Sequence, residues 1–135
     1  MPRAEGSFVV NLSPQAPDER PNAGFLGRLL IEKTFSGDLV GKSVGQMLSA
    51  RAAMEGSAGY VAIERVEGTL AGRTGAFILQ HSGHANRGET RLRVNVVADS
   101  GTDELTGLRG EMQINVTPDG GHLYVFDYAF DYAAG

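Results

Sequence analysis

The chain has 135 residues, 41% of them hydrophobic and 21% charged, which is the composition of one globular domain. Its net charge of −4 argues against a surface that follows nucleic-acid phosphates, and no apolar run approaches the roughly 20 residues that cross a bilayer. The absence of cysteine excludes disulfides, thiolate chemistry and cysteine-based zinc sites. We expect a cytoplasmic protein, because no secretory signal opens the sequence.

Alternation of apolar and polar residues predicts about eight β-strands and almost no helix. The strands are expected near 7–12, 25–36, 38–49, 57–70, 74–85, 90–98, 104–117 and 122–131. A short helical pattern is confined to 48–55, and three prolines within 13–24 indicate a surface loop. In the second strand, the alternation places Leu29, Ile31, Lys33 and Phe35 on one face.

Three glycine-rich segments share a Leu-x-Gly pattern that indicates β-hairpins. They are GDLVGKSVGQM (37–47), GTLAGRTGAF (68–77) and DELTGLRGEM (103–112). Glycine supplies the positive φ that tight hairpin turns need. The first segment has too few residues between its glycines for a phosphate-binding loop, and a strand is expected after it. Antiparallel strands joined by such turns favour a closed eight-stranded barrel, since closure removes exposed edges, with an open sandwich as the alternative.

A turn near Gly72 folds the fifth predicted strand back on the fourth and decides which side chains face inward. If the two-residue loop is Gly72-Arg73, Glu64 pairs with His81; if the loop lies one residue earlier, Ala62 pairs with His81. Both alternatives leave the faces unchanged, because only an odd shift reverses them. The more apolar face, which we assign to the barrel interior, carries Tyr60, Ala62, Glu64, Val66, Gly68, Leu70, Phe77, Leu79 and His81.

The polar side chains of FILQHSG (77–83), at the end of this hairpin, therefore point to two opposite faces of the sheet. His81 points inward, while Gln80 and Ser82 point outward. A loop one residue longer would instead place Gln80 beside Glu64.

Glu64 and His81 are the candidate catalytic residues. A carboxylate and an imidazole that share a low-dielectric cavity can act as general acid and base, and burial is expected to raise the pKa of the carboxyl group. The alternative is a hydrogen-bonded pair with a purely structural role. The predicted substrate-binding residues are Tyr60, Met47, Val66, Phe77, Leu79 and Tyr124.

The three histidines do not form a metal-binding pattern. His81 and His84 are three residues apart on a strand and face opposite sides, and His122 is distant in sequence. No dense group of acidic residues accompanies them, so we expect neither a metal nor a cofactor. The rings that alternate along 122–130 indicate packing in the core more than a pocket wall.

Three segments closely resemble a widespread bacterial family of unknown function, number 3224 in the domain-of-unknown-function series. They are GDLVGKSVGQMLSA, GSAGYVAIERVEGTLAGRTGAFILQHSG and VVADSGTDELTGLRGEM, and the resemblance extends roughly from Gly27 to Tyr128. The resemblance implies an allene-oxide-cyclase-like, eight-stranded antiparallel barrel with a central cavity. Barrels of that type promote cyclisations by holding a flexible apolar substrate. None of their catalytic residues can be matched position by position to this sequence.

Three functional hypotheses follow. The barrel could be a cofactor-independent isomerase, cyclase or lyase that acts on a small apolar or phenolic molecule. It could bind a small hydrophobic ligand without chemistry, or it could be a structural barrel with a filled core. We also expect a homo-oligomer, because the outward apolar residues Val61, Ile63 and Ile78 need cover.

Overall fold

The computed structural model describes residues 2–131, and within that range eight antiparallel strands form a closed barrel in chain order. This confirms the predicted barrel over the open sandwich. The strands are β1 (Arg3–Pro14), β2 (Leu26–Gly37), β3 (Leu39–Arg51), β4 (Ala58–Leu70), β5 (Arg73–Asn86), β6 (Glu89–Val96), β7 (Leu108–Val116) and β8 (His122–Phe130). No helix in residues 2–131 has the length and apolar character needed to span a bilayer.

The first strand closes the barrel, because it pairs with strands on both sides. Phe8 of β1 lies opposite Phe35 of β2 and opposite His122 of β8. The pairing between β6 and β7 is much shorter than the others. It comprises only Val94 opposite Met112 and Asn95 opposite Glu111.

The β4–β5 turn settles the register of the hairpin that carries the candidate site. Ala71 and Gly72 form the two-residue loop with φ values of 48° and 87°, and this pair of positive values is typical of a tight hairpin turn. His81 consequently lies opposite Ala62, which is the second of the two predicted registers. Glu64 lies opposite Leu79, on the same inward face.

The third glycine-rich segment does not form a hairpin, and the predicted strand at 104–117 begins only at Leu108. The connection 97–107 contains a short 3₁₀ turn, Asp103–Leu105, and closes one end of the barrel. Leu105 is fully buried there. The Thr102 N–H donates to the Ala76 carbonyl (2.8 Å), and the Ala76 N–H donates to Thr102 Oγ1 (3.1 Å). Thr102 therefore takes the backbone hydrogen-bonding positions of β5 that further residues of β6 would otherwise occupy.

The short helix suggested for 48–55 is also absent from residues 2–131. The third strand covers the first half of that segment and ends at Arg51, and a turn follows. Pairing with both β2 and β4 supplies hydrogen-bond partners on each side, and this outweighs a weak local helical preference.

Large apolar side chains fill the closed end of the barrel. Phe77 and Phe126 stack with ring centroids 5.9 Å apart, and Tyr124 packs edge-on against Phe35 at 5.8 Å. Within residues 2–131, the buried polar or charged side chains are Lys33, Ser43, Glu64 and His81.

The outer surface of β2 to β5 carries a shallow apolar groove. Its exposed side chains include Leu30, Val44, Leu48, Val61 and Ile63. Outward faces of antiparallel sheets are usually polar, so this face is unusually apolar. Self-association through such residues stays a prediction.

Candidate functional site

A buried cluster of four polar side chains crosses adjacent strands β2 to β5. Glu64 lies at its centre and is completely inaccessible. Its Oε1 accepts a hydrogen bond from Lys33 Nζ (2.8 Å) and lies 2.7 Å from His81 Nε2, while its Oε2 accepts one from Ser43 Oγ (2.6 Å). Inward alternation on each strand brings the four together, so both carboxylate oxygens are fully engaged.

These contacts hold Glu64 in its charged form. Burial acts to raise the pKa of its carboxyl group, but hydrogen bonds from His81, Lys33 and Ser43 and the positive charge of Lys33 outweigh it. The result is a pKa lowered from 4.5 to about 2. The expectation of a raised pKa is therefore wrong, since it counted burial without the donors. With so low a pKa, the carboxyl group carries no proton to donate near neutral pH and is only a weak base, so it suits neither acid nor base catalysis there.

The same contacts define the orientation of the His81 ring. Because the Glu64 carboxylate can only accept, the hydrogen between them belongs to Nε2 of His81. Every fully buried side-chain nitrogen or oxygen in residues 2–131 has a hydrogen-bond partner. No hydrogen-bond partner is found in that range for Nδ1 of His81, and the ring that carries this atom lines a cavity.

That cavity lies at the open end of the barrel, has a volume of about 230 Å³, and is called the mouth cavity below. Exposed apolar residues surround its opening: Leu12 is 47% accessible, Leu92 44% and Val116 67%. The apolar part of its wall includes Phe8, Val10, Ile31, Met47, Ala62 and Ile114. Its polar groups come from Lys33, Tyr60, His81 and His122.

Only some of the predicted substrate-binding residues line the mouth cavity. Met47 and Tyr60 do, together with the candidate catalytic residue His81. Glu64 lies behind Lys33 and His81 and does not itself reach the cavity. The other four predicted binding residues, which are at most 1% accessible in the packed core, are Val66, Phe77, Leu79 and Tyr124.

Tyr124 has a clear structural role in that core. Its hydroxyl donates to the Ser36 carbonyl (2.9 Å) and accepts from the Leu39 N–H (2.9 Å). Gln80 lies on the outer groove, in agreement with its predicted outward direction. Whether the cavity-lining residues bind a ligand stays a prediction.

Lys33 and Ser43 belong to the cluster but were not predicted as site residues from the sequence. A signal for Lys33 was present in the sequence, because alternation placed this lysine on a face that otherwise carries Leu29, Ile31 and Phe35. Its ammonium lies 4.6 Å from the ring centroid of Phe8, where a cation is attracted by the aromatic face. No comparable signal marked Ser43.

Gly83, at the end of FILQHSG, makes room for one wall of the mouth cavity. It lies opposite Tyr60, and a Cβ atom at residue 83 would come within 2.0 Å of Tyr60 Cε1. The Tyr60 ring therefore depends on a glycine at this position. Burial and the nearby Glu64 charge both raise the pKa of the Tyr60 phenol, so its hydroxyl stays protonated.

The described residues offer no group of three or more histidine or acidic side chains arranged to hold a metal ion. The side chains that line the mouth cavity supply an ammonium from Lys33, a phenol from Tyr60 and the imidazoles of His81 and His122.

Comparison with known proteins identifies the family of this chain. Residues 4–128 match a family described as "Protein of unknown function (DUF3224)". The chain belongs to the DUF3224 family. A crystal structure of a DUF3224 protein of unknown function from Shewanella oneidensis MR-1 is 47% identical, with a TM-score of 0.91. The similarity covers 98% of this chain and 99% of that one.

No protein with a curated description matches the sequence. The DUF3224 crystal structure shares the fold of this chain, and membership of the family assigns no activity to it. The allene-oxide-cyclase-like character of the barrel stays a prediction.

Proposed function

We propose that this DUF3224 protein binds a small, mostly apolar molecule in the mouth cavity and that His81 moves protons on that molecule. The observation that carries the proposal is the arrangement of His81. Its Nε2 contacts the buried Glu64 carboxylate, its Nδ1 has no hydrogen-bond partner within residues 2–131, and the ring lines a mostly apolar cavity.

The size and lining of the mouth cavity support a small ligand. An apolar cavity of about 150 Å³ accepts benzene, whereas drug-sized sites occupy about 300–1,000 Å³. At about 230 Å³, the mouth cavity suits one ring with a short substituent. Its wall provides apolar contact, and Lys33 and His81 add buried polar groups.

The roles within the Glu64–His81 pair differ from those expected from the sequence. Glu64 is a positioning residue, because three donors keep it charged and it does not reach the ligand space. It selects the tautomer in which Nδ1 of His81 carries the free lone pair. Nδ1 is then the general base, and the Glu64 charge stabilises the imidazolium that forms.

The reaction class that fits is a cofactor-independent isomerisation, cyclisation or elimination. A proton leaves a ligand carbon for Nδ1, and the C–H electron pair enters the ligand's π system. Return of the proton to another ligand atom completes an isomerisation without any further reactant.

The proposal is tested with two probes that fit the cavity, cumene and acetophenone. Binding is followed through NMR shifts of residues around the mouth cavity, and proton transfer through deuterium entering the acetophenone methyl group in D₂O. Wild-type protein should bind both probes and accelerate deuteration.

The decisive variant is His81→Gln, which keeps a donor for Glu64 but lacks a basic nitrogen. It should abolish deuteration while changing probe affinity only a few-fold. The matched control is His84→Gln, because His84 is exposed on the opposite face of the same strand. If wild-type protein bound the probes without accelerating deuteration, the catalytic part of the proposal would be refuted and a non-catalytic binding barrel would remain. If neither probe bound, the whole proposal would be overturned.

A further inference from the structure

Lys33 is a buried cation that the proposed function has not used. It lines the mouth cavity although only 7% of it is accessible. Its ammonium has three hydrogens, and a single hydrogen-bond acceptor, Glu64 Oε1, is found for it within residues 2–131. The Phe8 ring attracts the cation but does not replace an oxygen acceptor. Ammonium donors thus remain available to a ligand in the mouth cavity.

The position of this ammonium relative to His81 is tightly constrained. Lys33 Nζ and His81 Nε2 both contact the same oxygen of Glu64, at 2.8 Å and 2.7 Å. The two side chains therefore lie side by side, and because both line the mouth cavity, one small molecule there can contact both. Such a molecule would offer an oxygen to Lys33 and an adjacent C–H to His81.

Building on the proposed function, we infer that the ligand is a small apolar carbonyl compound, a ketone or an aldehyde, whose oxygen is bound by the Lys33 ammonium. The step is removal of a proton from the carbon next to the carbonyl. The C–H electron pair forms a carbon–carbon double bond, and the carbonyl π electrons move to the oxygen. An enolate results, and its negative oxygen faces Lys33.

The charges of the cluster favour this step. Before proton transfer, Lys33 and Glu64 form one ion pair, and His81 and the carbonyl compound are neutral. After transfer, the imidazolium of His81 pairs with Glu64 and the enolate pairs with Lys33. Both new charges therefore appear beside a partner that is already in place, as in sites that stabilise developing oxyanions.

A carboxylate ligand fits this arrangement less well. It would bring a second anion beside Glu64, and two buried carboxylates would share one ammonium. A Schiff base is also disfavoured, because Lys33 is engaged in an ion pair with Glu64, whereas Schiff-base formation needs a free, neutral amine.

The inference is tested by comparing acetophenone with cumene, which has nearly the same shape but no oxygen. Wild-type protein should prefer the ketone by at least tenfold. The carbonyl stretch of bound acetophenone should shift to lower frequency than in an apolar solvent, as a hydrogen bond from a cation requires. This vibrational measurement needs no variant, so it remains decisive even if substitution of Lys33 prevents folding.

The variant that isolates the ammonium is Lys33→Met. It should bind cumene as before, lose the preference for acetophenone, and lower the deuteration rate by about 10²–10³-fold, as removal of an oxyanion donor does. The control is Lys42→Met, because Lys42 is exposed on the outside of β3.

Three results would overturn the inference. They are equal binding of the two probes by wild-type protein, a carbonyl frequency unchanged from that in apolar solvent, and trapping of a covalent Lys33 adduct by borohydride. Equal binding in the mouth cavity would leave the proposed ligand-binding function standing. Failure of both probes to bind would remove the two proposals together.

Discussion

Replacing Glu64 by glutamine gives the sharpest test of the buried cluster. The amide keeps the size of the side chain but removes the negative charge that Lys33 and His81 contact. The pKa of the carboxyl group falls from 4.5 in its ordinary state to about 2 in the folded chain. Because each pKa unit corresponds to about 1.4 kcal/mol, the charged form stabilises folding by about 3 kcal/mol at neutral pH.

The sign of the pH dependence follows from the lowered pKa. The stabilisation is complete above the ordinary pKa of 4.5 and is lost as the pH falls through that value toward about 2. Wild-type protein should therefore lose about 3 kcal/mol of unfolding free energy between about pH 5 and pH 2 through this group alone. Glu64→Gln should lack that part of the loss.

At neutral pH, Glu64→Gln should be destabilised by about 3–5 kcal/mol, because it leaves a buried ammonium without its partner. The assay is urea unfolding, monitored by tyrosine fluorescence, at several pH values. Glu67→Gln is the matched control, since Glu67 is exposed on the outside of the same strand, where its pair with Arg65 contributes under about 1 kcal/mol.

A double variant separates the charge pair from general damage. Lys33→Met combined with Glu64→Gln should be more stable than Glu64→Gln alone, because no unpaired ammonium remains. If Glu64→Gln and wild-type protein lost stability in parallel as the pH fell, the account of Glu64 as a buried carboxylate held by three donors would be refuted.

Two further predictions concern neighbouring parts of the barrel. Tyr124→Phe should lower the unfolding free energy by about 1–3 kcal/mol, since it leaves the buried Leu39 N–H without its acceptor. Tyr128→Phe, which removes a hydroxyl from a similarly buried ring, should cost less in the same unfolding assay, and equal losses would contradict the assigned role. Gly83→Ala should displace the Tyr60 ring and weaken cumene binding, as measured by NMR titration. Gly59→Ala should leave binding unchanged, because its added methyl group would come no closer than 3.8 Å to its nearest neighbour.

The fold was largely predictable, because alternation and glycine turns carry most of the information in an antiparallel barrel. The inward direction of His81 followed from parity alone, whichever turn was chosen. The pairing register of β4 and β5 could be settled only from the structure of the turn, because the residue type of Ala71 does not indicate its positive φ. The predicted strand at 104–117 wrongly included Leu105. An apolar residue near a glycine looks the same in the sequence whether it extends a strand or fills the end of a barrel.

The candidate site was less predictable, because it depends on distances between strands. Pairing a carboxylate with an imidazole could be inferred from one hairpin, but Lys33 and Ser43 come from two other strands. Their three-dimensional convergence reverses the expected effect on the pKa of Glu64. The location of the mouth cavity also depends on which end of the barrel is filled, and that is set by side chains from all the strands together.

The short pairing between β6 and β7 has a consequence for entry into the barrel. Only two residue pairs join these strands, and the flanking Leu92 and Ile114 belong to the wall of the mouth cavity. Separating them breaks fewer backbone hydrogen bonds than separating any other neighbours, so local opening should be least costly along this line. Amide hydrogens at the junction should exchange with solvent sooner than those of β3 and β4, and a guest too bulky for the rim would enter sideways through this gap.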